Sequence, residues 1–219
     1  MRTIGLLGGT FNPIHFGHLR MAQELADTLN FSEVRFIPAA NPPHKSVPGV
    51  SAEHRVAMVR LGIASNPLFT FDDRELHRTG ASYTIDTLIS LRDELGSDVS
   101  LVLLMGSDAF TKFNTWYRWE EIIQLCHITL VQRPLALQTA KDTKETLPKA
   151  LETFLHNHYT ENGEDLHESP AGFVNMQQVT ALDISSTAIR NALQQKKSAR
   201  YLMPDGVIDY IYENELYSN

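Results

Sequence analysis

The stretch Thr3-Ile4-Gly5-Leu6-Leu7-Gly8-Gly9-Thr10-Phe11-Asn12-Pro13-Ile14-His15-Phe16-Gly17-His18 decides the fold. Residues 3–9 are a nearly all-apolar run closed by glycines, the pattern of a strand buried on both faces of a parallel sheet. The paired Gly8 and Gly9 let the backbone turn tightly and pass close to a ligand. Asn12, standing before Pro13, is held extended and delays the following helix. If that helix has begun by Ile14, His15 and His18 share one face. A helix N-terminus carries unpaired N–H groups and the positive end of the dipole, and two imidazoles that can be charged add further donors. At the carboxyl end of a central strand, where open α/β sheets bind ligands, these features make a phosphate site. The stretch is neither a G-x-G-x-x-G element nor a P-loop, since no Lys-Ser/Thr follows the glycines.

Working outward, strand and helix patterns alternate. Helical spacing runs from Leu19 to Leu29, a second strand covers Glu33–Pro38, and a loop with Pro42, Pro43, Pro48 and Gly49 leads to a helix opened by Ser51. Leu68–Phe71 is a short strand, Ser82–Leu95 a helix with Gly96 as its C-cap, and Leu101–Met105 another central strand. Trp119–Leu125 is helical, His127–Gln132 and Phe173–Val179 are strands, and Ser185–Leu193 and Pro204–Leu216 are helices. The alternation predicts a parallel sheet with helices on both faces. Residues 134–172 are polar and lack a buried-strand pattern; they read as an elaboration with one or two helices inside a single domain spanning residues 1–219.

The chain has 219 residues, with 19 Lys plus Arg against 26 Asp plus Glu and a formal charge of −7. At 42% hydrophobic and 21% charged residues it belongs among globular chains, not disordered ones. The lone Cys126 excludes an intramolecular disulfide and fits a reducing compartment. No run approaches a membrane span, and Met1 leads directly into a strand pattern, so a cytoplasmic location is expected. The acidic balance speaks against a nucleic-acid partner, whose footprint would be basic.

Four further groups could carry chemistry. Asp183-Ile184-Ser185-Ser186-Thr187-Ala188-Ile189-Arg190 opens a helix with three successive hydroxyls; capping uses one, and the rest with Arg190 would suit a polyphosphate. The loop Pro42-Pro43-His44-Lys45 presents two groups able to meet an anion, or is an exposed loop with chance basic residues. Trp116-Tyr117, just beyond Gly106-Ser107-Asp108, could stack on a heteroaromatic ring or simply pack the core. Arg133 ends a strand on the ligand side of the sheet. His156, His158 and His167 lack metal-ligand spacing, and the adjacent Glu120 and Glu121 do not face each other.

The element His15-Phe16-Gly17-His18, followed about 170 residues later by Ile184-Ser185-Ser186-Thr187-Ala188-Ile189-Arg190, resembles the nucleotidyltransferase superfamily. Gly8-Gly9-Thr10-Phe11, Pro42-Pro43-His44-Lys45, Ser82-Tyr83-Thr84, Gly106-Ser107-Asp108, Thr115-Trp116-Tyr117 and Arg133-Pro134 make the whole chain similar to bacterial nicotinate-nucleotide adenylyltransferases. The resemblance implies an α/β, Rossmann-like doubly wound sheet with C-terminal helices. It also implies an Mg²⁺-dependent enzyme that moves AMP from ATP to nicotinate mononucleotide, releasing pyrophosphate. Residues 134–172 then look like the long insertion of the proteobacterial branch. Homo-oligomerisation is left open.

By the same resemblance, His15, His18 and Arg190 are catalytic. Gly8, Gly9, Thr10, Phe11, His15, His18, Gly106, Asp108, Ile184, Ser185, Ser186, Thr187 and Arg190 bind ATP. His44, Lys45, Ser82, Tyr83, Thr84, Trp116, Tyr117 and Arg133 bind the acceptor, with Trp116 on its pyridine ring. No residue is expected to hold a metal on its own. Asn12 stands where many relatives carry Asp, and Ala39 where many carry Asn. Two rivals are a sister transferase with another phosphate acceptor and a non-catalytic nucleotide-binding module. The first would lack the Ser82-Tyr83-Thr84 and Trp116-Tyr117 set, and intact His15, His18 and Arg190 count against the second.

Overall fold

The computed structural model describes residues 1–41, 49–132, 147–180 and 182–218. Strand β1 (Arg2–Gly9) lies inside a sheet with β2 (Glu33–Pro38), β3 (Phe69–Phe71), β4 (Val99–Gly106), β5 (His127–Gln132) and β6 (Val174–Gln178). The order is β3-β2-β1-β4-β5-β6 and every pairing is parallel. The chain winds outward from β1 through β2 to β3, then returns to β4 and winds the other way. This is the doubly wound, Rossmann-like arrangement the alternation predicts.

The helices are α1 (Phe16–Thr28), α2 (Ala52–Ile63), α3 (Thr84–Leu95), α4 (Ser107–Phe110), α5 (Trp119–Leu125), α6 (Lys149–His158), α7 (Asp165–Glu168), α8 (Ser186–Gln194) and α9 (Asp205–Glu213). They divide between the faces because strand side chains alternate. Leu7 of β1 joins Leu25, Met58, Ile189 and Ile211 in one buried layer, while Ile4 and Leu6 join Leu88, Leu91, Ile122 and Phe154 in the other.

β2, α5 and β5 keep the bounds their patterns predict. Helix starts shift where a polar residue turns out to be a cap and not the first helical residue. Ser51 accepts the His54 N–H (3.4 Å) and Ser185 the Ala188 N–H (3.1 Å), each from just outside its helix. α3 begins at Thr84, two residues after the predicted start, with Tyr83 as its cap. Gly96 closes α3 at φ 72°, the left-handed region that favours glycine. The short α4 and a 3₁₀ turn at Phe113–Thr115 escaped the periodicity, being too brief to show one.

Within the described part of 134–172, α6 buries Leu151 and Phe154 in one layer and α7 buries Leu166 in the other. His158 Nδ1 lies 2.9 Å from Gly172 O and closes the segment on itself, while His167 Nδ1 lies 2.6 Å from Thr3 Oγ1 and fastens it to β1. Cys126 is fully buried at the end of α5, and burial pushes its thiol up to about 12. Among the described residues no helix is long and apolar enough to cross a membrane.

Candidate active site

The site begins where the sheet splits. β1 and β4 stay paired only as far as Leu6 opposite Leu103. Beyond that, β1 continues on β2 to Gly9 opposite Pro38, and β4 continues on β5 to Gly106 opposite Val131. The two strands that flank the reversal of strand order therefore part company at their carboxyl ends and open a crevice. A Cβ built on Gly8 or Gly106 would meet no described atom within 4 Å. A cavity of about 340 Å³ lies here, lined by His15, Gly17, His18, Gly106, Asp108, Ile184, Ser185 and Ser186 among others.

α1 begins at Phe16, so His15 is its N-cap and not a helical residue. The expectation that both imidazoles lie on one helical face is corrected in detail, yet the rings do meet. They stack with centroids 3.8 Å apart and planes at 29°. Gly17 makes this possible. A Cβ there would stand 2.9 Å from both Cε1 and Nδ1 of His15 and 3.4 Å from the Ile184 carbonyl. The third residue of the motif is thus the floor under the His15 ring. Phe11 supports the other side, its ring edge-on to His18 at 5.2 Å. Phe11 sits at φ 47°, a strained backbone for a bulky residue, and its ring lies 3.0 Å from where a Gly9 Cβ would be.

His15 is buried, and desolvation lowers its pKa to about 4, so it is neutral near pH 7; the expectation that both rings can be charged fails for this one. The His15 backbone N–H donates to His18 Nδ1 at 3.3 Å. In the neutral ring this leaves the His18 proton on Nε2. The α1 terminus also holds fewer orphan donors than an ideal helix. Phe16 N–H is taken by Leu202 O and His18 N–H by His15 O, both at 2.9 Å.

The C-terminal element is locked onto the N-terminal one. Ser186 Oγ donates to Pro13 O at 2.9 Å, and Arg190 Nη1 donates to Asn12 O at 2.8 Å. Arg190 Nη2 also reaches Thr187 Oγ1 at 3.2 Å. Tyr217 Oη donates to the Asn12 amide oxygen at 2.5 Å. Position 12 therefore serves as a fastening point through both its carbonyl and its side chain. The three hydroxyls are not equivalent. Ser185 and Thr187 accept internally and keep their O–H for a ligand, whereas Ser186 has spent its proton on Pro13.

Ser82, Tyr83, Thr84, Trp116 and Tyr117 are not among the residues lining the cavity; Tyr83 and Tyr117 bring their rings to 4.7 Å, joining the Ser82-Tyr83-Thr84 turn to the Trp116-Tyr117 turn. Trp116 is half-buried with its edge on Phe113 at 5.5 Å, and Tyr117 is exposed. Trp119 packs between Phe113 and Phe154 and belongs to the core. Gly8, Gly9, Thr10, Phe11, Thr187 and Arg190 border the crevice without lining the cavity itself. His44, Lys45 and Arg133 lie outside the described residues.

Several residues were missed by the sequence patterns. Val131 and Val179, at and just past the ends of β5 and β6, form with Met21 and Leu182 an apolar wall of the cavity. The strand-end rule could have flagged both valines, and Met21 follows His18 by one helical turn. Arg55 gave no signal, since it sits in the first turn of α2 among polar residues and reads as a solvated charge. It is instead 1% exposed, and its guanidinium donates to the carbonyls of Thr10, Ala39 and Ala40 at 2.9, 2.7 and 3.1 Å.

A model of the cytidylyltransferase-like family matches residues 6–192. A probable nicotinate-nucleotide adenylyltransferase of Halorhodospira halophila is 44% identical over 213 residues, covering 97% of this chain and 94% of its own. One of the same description from Hahella chejuensis is 46% identical over 215 residues, covering 98% and 95%. The solved nicotinic acid mononucleotide adenylyltransferase of Plasmodium falciparum, complexed with NaAD, shares the fold with a TM-score of 0.72 at 17% identity, over 99% of this chain and 98% of that one. Similarity of this extent along the whole length leaves a single placement: the chain belongs to the cytidylyltransferase-like family and, within it, to the nicotinate-nucleotide adenylyltransferases.

Proposed function

We propose that this protein transfers the adenylyl group of ATP to nicotinate mononucleotide, forming nicotinate adenine dinucleotide and pyrophosphate as a cytoplasmic step of NAD biosynthesis. The observation that carries the reading is the junction of the two distant motifs. Ser186 and Arg190 hold Pro13 and Asn12 across more than 170 residues, beside the stacked His15 and His18. A site spanning both chain ends and rich in N–H and O–H donors is built for phosphates. We read the chain as one nucleotidyltransferase domain, with residues 134–172 an elaboration of it.

An oxygen of the acceptor phosphate attacks the α-phosphorus of ATP, and the bond to the bridging oxygen breaks to release pyrophosphate. The acceptor is already ionised at neutral pH, so no general base is needed. Catalysis reduces to alignment and charge stabilisation. The His18 Nε2 proton is donated to the α-phosphate oxygen where charge develops. Neutral His15 braces that ring. The Ser185 and Thr187 hydroxyls, the free N–H groups of the first turn of α8 and the remaining donors of Arg190 hold the β- and γ-phosphates. Gly8–Phe11 pass close beneath the nucleotide, and the wall of Met21, Val131, Val179 and Leu182 takes the adenine. Ser82, Tyr83, Thr84, Trp116, Tyr117 and Arg133 are the residues the resemblance assigns to the acceptor, with His44 and Lys45 assigned to its phosphate.

Asp108 is the carboxylate among the cavity-lining residues, and no cluster of three metal-ligating side chains occurs among the described residues. This donor set suits Mg²⁺ brought in with the triphosphate, which Asp108 would help to hold. When bound, the ion neutralises phosphate charge. The test is pyrophosphate release from ATP and Mg²⁺ with each mononucleotide in turn. Turnover with nicotinate mononucleotide is expected, and a fall of about 10²-fold or more in kcat for His18→Ala. Release only with a different acceptor, or with none, refutes the reading.

A further inference from the structure

Arg55 is the largest side chain among the fully buried ones, and among the described residues it forms no ion pair. A buried guanidinium without a carboxylate is costly, and only good hydrogen bonding makes it tolerable. Here three backbone carbonyls supply that bonding, from two different loops. One is Thr10, on the loop that leaves β1. The others are Ala39 and Ala40, on the loop that leaves β2.

The consequence follows from the planar trans peptide, whose N–H points opposite to its C=O. Capture of Thr10 O by Arg55 turns the Phe11 N–H away from the guanidinium, and it fixes the peptide plane that sets the strained φ of 47° at Phe11. Capture of Ala39 O does the same for the Ala40 N–H. Capture of Ala40 O turns the Asn41 N–H outward, and there the outcome is visible: Asn41 N–H meets Ser82 Oγ at 3.3 Å. Asn41 further binds the acceptor-side turn through Nδ2 to Gly80 O (3.1 Å) and by accepting the Ser82 N–H (3.0 Å). One continuous chain of hydrogen bonds thus runs from the loop beneath the nucleotide, through Arg55, to the turn carrying Tyr83 and Thr84.

We propose that Arg55 is a positioning residue for adenylyl transfer, whose single guanidinium sets the peptide planes of the donor loop at Thr10–Phe11 and of the acceptor-side loop at Ala39–Asn41 and so holds the two reactant pockets in register. The inference rests on the function proposed above. It differs from a role in either pocket alone, because the one guanidinium bonds both loops and does not itself line the cavity. What its replacement removes is the alignment between them.

The test compares Arg55→Met and Arg55→Lys with the wild type. Calorimetric titration with a non-hydrolysable ATP analogue and with nicotinate mononucleotide gives the two Kd values and the fraction of binding-competent chains. The expected result is a kcat per competent site lowered by about 30-fold in Arg55→Met and by about 5-fold in Arg55→Lys, the scale of a sub-ångström misalignment. Both Kd values should stay within about threefold of wild type. Lys keeps the charge but cannot hold three carbonyls in one plane. Arg55→Lys is the variant that decides if Arg55→Met fails to fold. A kcat per competent site equal to wild type in the folded variants overturns the proposal, as does a Kd raised more than about tenfold for one substrate only. The amide NMR shifts of Phe11 and Ala40 in Arg55→Lys read the loop geometry without turnover. Unmoved shifts overturn the proposal, whereas moved shifts in a protein whose wild type releases no pyrophosphate sink only the functional reading.

Discussion

Gly17→Ala isolates the geometry of the stacked histidines. The added methyl would stand 2.9 Å from two atoms of the His15 ring, and the ring is not the far end of a flexible chain. Ordinary contact needs about 3.5–4.0 Å, so ring or helix must yield by about 0.6–1 Å. His15 is buried and lies against His18 at 3.8 Å, so the displacement passes into His18, the residue we propose faces the α-phosphate. A misplacement of about 1 Å at reacting groups costs on the order of 10²-fold in rate. Stability responds less. Overpacking costs about 1–3 kcal/mol, while replacing glycine in a helix returns up to about 1 kcal/mol. With the full return the net loss is about 0–2 kcal/mol, and a loss of about 2 kcal/mol lowers Tm by about 4–8 °C. Pyrophosphate release at saturating ATP and acceptor, with calorimetry beside it, checks both numbers. A Gly17→Ala enzyme that turns over within twofold of wild type would show that the His15–His18 stack has no bearing on the rate.

Two further outcomes follow from the site. His15 has a pKa lowered by burial to about 4 against an ordinary 6.5, so the unfolded chain binds the extra proton first. Its contribution is intact above pH 6.5, is lost progressively as pH falls toward 4, and changes no further below that, amounting to roughly 3 kcal/mol. Urea midpoints at pH 7 and 4.5 should therefore fall less for His15→Gln than for wild type, and equal falls would contradict the burial cause. Trp116→Ala should raise KM for nicotinate mononucleotide with little change in kcat, as expected for a side chain that supplies uniform binding. A change confined to KM for ATP would move Trp116 to the other pocket.

The two central strands were legible because they are buried on both faces and so appear as nearly unbroken apolar runs ending in glycine. Leu101–Met105 and residues 3–9 could hardly be anything else. The two motifs we propose for phosphate binding were legible because they concentrate unusual residues: paired His15 and His18, then three hydroxyls and Arg190. What the residues do to one another was not. That Ser186 spends its proton on Pro13, or that Gly17 is small because a ring lies on it, depends on contacts between distant segments that no local spacing encodes. Arg55 is the sharpest case. Its neighbours in sequence are polar, its partners are backbone carbonyls, and carbonyls carry no sequence signature.

The parting of β1 from β4 leaves Gly8 and Gly106 facing open space, with neither residue in the left-handed region and no described atom near a hypothetical Cβ. The fold is indifferent to a methyl at either position, while the crevice is not. Constraint on these two glycines therefore comes from the occupant and not from the scaffold. Survival of the fold carries no information about them, and a library sorted by folding alone would accumulate alanines at both positions, each setting a methyl into the crevice.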